Sequence, residues 1–100
     1  MSTAVDRDLV ASLAADQLHV QGLLADLAAE LLRVPVEEST RTLHLRALAL
    51  RRVVMRWPED HPDEQNRRAV CNEVIALQEE ARARRRLLAT ERQMNGRNYG

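Results

Sequence analysis

The residues of this chain that could do chemistry are few and scattered. Asp16 and His19 stand three apart. On a helix that spacing puts a carboxylate and an imidazole on one face, as metal-binding helical bundles do. Such bundles need Glu-x-x-His on two helices, and no Glu here precedes a His at that distance. No metal site is expected, and His19, His44 and His61 read as surface or flanking residues. Ser2, Ser12 and Ser39 lack a His and Asp pattern that would activate a hydroxyl. A Gly-rich phosphate loop, a G-x-S-x-G elbow and an H-E-x-x-H pair are all missing. The expectation is a protein that is not an enzyme and needs no cofactor.

Two further features invite a chemical reading. Cys71 is the single cysteine, so no intramolecular disulfide forms. It reads as a small apolar residue before it reads as a reactive thiol. Arg82, Arg84, Arg85 and Arg86 could grip phosphate. Helical geometry fans them over several directions, Glu79, Glu80 and Glu91 flank them, and no aromatic interleaves for base stacking. All 15 basic residues are Arg, and 15 acids cancel them. Zero net charge gives no general attraction to nucleic acid or membrane. The start, MSTAVDRDLV, lacks a basic segment followed by an apolar run, and no apolar stretch suits membrane insertion. A cytoplasmic protein is expected.

The elements that carry these residues are helices. Ala, Leu, Arg and Glu dominate, and all favour helix. Trp57 and Tyr99 are the only aromatics, and three Gly with three Pro leave few turns. A first helix over about 4–34 carries an apolar ladder of Leu13, Val20, Leu24, Leu27, Leu31 and Val34 at heptad spacing. Gln17 fills the polar rung, read either as register-setting or as a wet rung near a bundle end. Gly22 costs about 1 kcal/mol relative to Ala in mid-helix.

A second helix over about 37–57 starts either with Pro35 in its first turn or with Ser39 or Thr40 as cap. Its seam is Val36, Thr40, Leu43, Ala47, Leu50, Val54 and Trp57. Leu45, Leu48, Val53 and Met55 lie off that seam, which suits a middle helix with two neighbours. A turn from Pro58 to Pro62 leads to a third helix over about 62–93, capped by Asp60 or His61. Residues 94–100 read as a flexible tail. The expected fold is all-α: an elongated antiparallel three-helix bundle, or coiled-coil-like hairpin, forming a single domain.

Charge is blocked along the chain. Residues 1–40 and 57–81 are acidic, whereas 41–56 and 82–100 are basic. Antiparallel packing sets the basic second helix beside acidic stretches. Such pairs select register more than they stabilise. Apolar residues off the seams, among them Leu45, Leu48, Met55, Leu87, Leu88 and Met94, need either internal contacts or a partner helix. Internal packing is the expected fate for those of the second helix. For the distal third helix a partner is at least as good a reading as internal packing.

The last third of the chain, AVCNEVIALQEEARARRRLLATERQMNGRNYG from Ala69 to Gly100, resembles the C-terminal helix and tail of the FlgN-type flagellar export chaperones. The matching positions are Asn72, Val74, Ile75, Arg82, Leu87 or Leu88, and Tyr99-Gly100. This chain has Asn72-Glu73 where that family usually has Asn-Gly. The resemblance implies a cytoplasmic chaperone of the type III secretion class. Its client would be a helical terminal region of a hook–filament junction protein, escorted unassembled to the export gate. It implies client binding by Val74, Ile75, Leu77, Leu87 and Leu88, and gate docking by Tyr99. The rival expectations are a structural coiled-coil adaptor or homo-oligomer such as a homodimer, and a nucleic-acid binder using Arg82 to Arg86.

Overall fold

The structure is a computed structural model that describes residues 3–98, with side chains described over 9–94. It is all-α, with no strand among the described residues. Helix α1 spans Thr3–Leu31, α2 spans Arg41–Met55, α3 is a single turn over Trp57–Asp60, and α4 spans Glu64–Asn98. The molecule is a rod of 74 × 18 × 18 Å. The 35 residues of α4 supply about 52 Å of that length, and α1 starts beyond the start of α4, because Asp16, thirteen residues after Thr3, meets Arg67, three residues after Glu64.

The heptad seams face inward. Leu13, Val20, Leu27, Leu31 and Val34 meet Leu43, Leu50, Val54 and Trp57, and α4 closes the core with Val74, Leu77 and Ala81. Gln17 of α1 donates from Nε2 to the Val54 carbonyl at 3.0 Å. It therefore satisfies one of the orphan carbonyls at the end of α2. It also fixes the antiparallel register of α1 and α2. Charged pairs set the rest: Arg67 meets Asp16, and Arg82 and Arg85 meet Glu30, so α4 runs parallel to α1. Arg46 of α2 meets Glu80 of α4 at 2.9 Å. The path is up, down, up, as short connections dictate.

Several boundaries differ from the sequence expectation, beginning with α1, which ends at Leu31 and not near residue 34. The second helix begins at Arg41, because Thr40 is spent on the loop before it. The buried Thr40 hydroxyl donates to the Pro35 carbonyl at 2.5 Å and accepts the Glu37 N–H at 2.9 Å. Val36 is thus left outside the seam and exposed. The turn after Trp57 is helical over Trp57–Asp60, with Pro58 in its first positions where a missing N–H costs nothing. It ends at His61 in the left-handed region, φ 49° and ψ 54°. The cap of α4 is Asp63, whose Oδ1 accepts the Asn66 N–H at 2.8 Å, not Asp60 or His61. Finally, α4 continues to Asn98, so residues 94–98 are helical rather than coil. Its described side chains from Ala89 to Met94 are exposed, and this end projects past the bundle.

Candidate protein-binding groove

Three helices around one core leave three outer grooves. The one between α1 and α2, on the side away from α4, stays open and apolar. Its floor is Leu24, Leu27, Leu31 and Ala47, and its walls are Leu32, Leu45 and Leu48. It encloses about 720 Å³. A second hollow of about 450 Å³ continues it toward Met55 and Gln21. Leu24, Ala28 and Arg51 line both hollows, so they form one trough.

The walls follow from helical periodicity. On α2, His44, Leu48, Arg51 and Met55 form one row at spacing i, i+4, i+7, i+11, and Arg41, Leu45, Leu48 and Arg52 form the next. Leu45, Leu48 and Met55 are 53%, 48% and 61% exposed. The expected internal packing of these residues is therefore not realised. α4 meets the other side of α2, through Glu80 against Arg46, and no described side chain covers this one. On the α1 side the wall is Gln21, Leu24, Ala25 and Ala28, with Leu32 just past the helix end, without a charge. His44 anchors the loop end of the trough, its Nε2–H donating to the Val34 carbonyl at 3.1 Å.

Sharing Ala25 and Leu32 with this wall, a second apolar stripe runs along α1, entirely exposed. Ala11, Leu18, Gly22, Ala25, Ala29 and Leu32 repeat at heptad spacing, and Leu32 is 88% exposed. A Cβ added at Gly22 would meet nothing within 4 Å. The glycine is thus not required by any internal close approach.

The residues singled out for client binding do not share a surface. Val74 and Leu77 are fully buried between α1 and α2, because they continue the inward seam that Ala81 and Leu88 share. They are unavailable to a client in this packing. Ile75 and Leu87 are exposed at 40% and 50%, but helical geometry turns them about 120° apart. Leu88 is half-buried against the core. Tyr99 lies outside the described residues. Among the described residues no three His, Cys, Asp or Glu side chains converge on a point where a metal could sit. Asp16 is occupied by Arg67 and not directed at His19. The arginine cluster is divided: Arg82 and Arg85 pair with Glu30, a carboxylate only 13% exposed. No described helix is long and apolar enough to cross a membrane.

A trough of this shape, two helix faces with leucines on both walls, accepts a third rod in the manner of helix-in-groove recognition. It offers no convergent polar groups for small-molecule chemistry. Comparison with protein-family models, with curated proteins and with solved structures gives no match to this chain.

Proposed function

We propose that this chain is a protein-binding module that receives an amphipathic helix in the α1–α2 trough. The observation that supports it is the continuous apolar trough itself. Leu32, Leu45, Leu48 and Met55 stay in solvent around a core that is otherwise closed. Contiguous exposed leucines of this kind mark a protein contact. A docked helix would make a four-helix arrangement and cover both walls. The moderate area of such a contact suits reversible capture.

The finer reading is an export chaperone of the FlgN type, cytoplasmic, holding the helical end of a junction protein or related type III client. It rests on the resemblance of Ala69–Gly100. In that reading the client lies in the trough, not on Val74 and Leu77. The projecting end of α4 remains free to reach the gate through Tyr99. Gel filtration with a junction protein should give a complex that Leu45→Asp with Leu48→Asp abolishes. An undiminished complex would place the client elsewhere.

A second reading is a homo-oligomer. The exposed stripe through Leu18, Gly22, Ala25 and Leu32 favours it, because small residues let two helices approach closely. Sedimentation of the isolated chain separates the two readings: a concentration-independent monomer removes the second.

A further inference from the structure

The trough has a polarity that narrows its occupant. Residues 41–56 contain five arginines and no acid. Arg46 pairs with Glu80 across the bundle, and Arg56 stands 3.8 Å from Asp60. Arg41, Arg51 and Arg52 have no carboxylate within 4.0 Å among the described residues. Arg41 and Arg51 line the trough, and Arg52 shares the face of Leu45 and Leu48. The facing α1 wall carries no charge to offset them. One wall is therefore cationic and the other neutral, above a leucine floor.

We infer that the occupant is an acidic amphipathic helix of another protein, with its apolar face on the floor and a row of carboxylates along the α2 wall. This rests on the trough being the binding site. The chain's own surplus helices do not fit the role. The projecting end of α4, from Ala89 on, carries Arg92 and Arg97 against Glu91, so its surplus charge is positive and the α2 wall does not attract it. The start of α1 carries Asp6 and Asp8, but only Thr3 to Ala11 precede the residues that engage α4. Nine residues cover about 13 Å, against about 22 Å for the 15 residues of α2. A partner helix of about 15 residues or more fills the trough from Arg41 to Met55.

Charge on one wall decides orientation and partner choice more than it decides affinity. It attracts carboxylates, speeds encounter at low salt and rejects cationic helices. A basic amphipathic helix of equal hydrophobicity is thus the discriminating control.

The test uses labelled helical peptides of about 20 residues, each with a leucine face and a flank of Glu, Gln or Lys, titrated with the full chain by fluorescence anisotropy. The Glu peptide should bind about tenfold more tightly than the Gln peptide, and the difference should shrink as salt rises. The Lys peptide should bind weakest. The triple variant Arg41→Glu, Arg51→Glu, Arg52→Glu should reverse the order of Glu and Lys peptides. These arginines are exposed, so the fold should persist, and circular dichroism checks that it does. Equal binding of all three peptides, still lost in Leu48→Asp, would overturn the acidic preference and keep the trough as a helix site. No binding by any peptide would overturn both. A homodimer whose association is abolished by Leu48→Asp would overturn the partner assignment in favour of a second copy.

Discussion

Arg67 is buried at the start of α4 and donates from Nε to Asp16 Oδ2 of α1 at 2.7 Å. The same guanidinium donates to the Pro62 carbonyl at 2.7 Å and to the Ser12 hydroxyl at 3.2 Å. One side chain thereby ties the turn, α1 and α4 together, and its guanidinium is the buried member of the pair. Its neighbour Arg68 makes only an exposed pair with Glu64, one turn back on the same helix. Two adjacent arginines thus have opposite fates because one points between helices and the other into water.

The first prediction concerns that tie. Asp16→Ala leaves a buried cation with its other two partners intact, and should cost about 2 kcal/mol. Arg68→Ala should cost less than about 0.5 kcal/mol, since exposed i, i+4 pairs contribute little. Urea denaturation of the two variants measures both. Equal midpoints would mean that Arg67 does not need its carboxylate.

The second prediction separates core from trough on the basis of exposure alone. Leu77→Ala and Val74→Ala remove buried methyl groups and should cost about 2–4 kcal/mol each. Leu45→Ser and Leu48→Ser, on the open wall, should shift stability by no more than about 0.5 kcal/mol. Thermal melts of the isolated chain check this. If the Leu45 and Leu48 variants melt as early as the core variants, the trough is filled in solution.

The inward seams were legible because heptad spacing is a property of one helix. Leu13, Val20, Leu27, Leu43, Leu50 and Val54 share a face whatever they meet. Heptad spacing extended back through Pro35 puts Val36 in the seam, whereas Thr40 bonds to the loop and the helical phase starts only at Arg41. The burial of Val74 and Leu77 is hidden from the sequence for a different reason. A periodic pattern says which residues share a stripe, not which neighbour covers it. The second helix has two apolar sides, and the hand of the bundle chooses which one meets α4. That choice depends on the Arg46–Glu80 and Arg67–Asp16 pairs, which join residues far apart in the chain. The trough is the side left over, so it became visible only once three helices were in place.

The third prediction concerns the connection. His61 is the one described residue other than glycine at positive φ, 49°. It closes α3 through its N–H to the Trp57 carbonyl at 2.9 Å. A side chain at Cβ disfavours this conformation, and histidine is exposed here, so its ring contributes little in return. His61→Gly should raise stability by about 0.5–1 kcal/mol, while His61→Val should lower it by about 1 kcal/mol or more. Denaturation midpoints read the order directly. The reverse order would show that the turn is held by the imidazole and not by its backbone.

The last prediction tests what the exposed stripe of α1 is for. Gly22 sits in mid-helix with open space around its absent Cβ. In the isolated chain Gly22→Ala should therefore stabilise the fold by about 0.5–1 kcal/mol through helix propensity alone. Gly22→Leu should do nearly the same, because no internal neighbour stands in the way. The two substitutions part company if a second helix packs against the stripe. Alanine adds one methyl group and is tolerated at a close crossing, whereas leucine forces the helices apart. Sedimentation beside the melts decides between these cases. Matching stabilities with an unchanged monomer mean that α1 presents this stripe to solvent. A self-associated wild type that Gly22→Leu alone dissociates identifies Gly22 as the crossing point of two α1 helices.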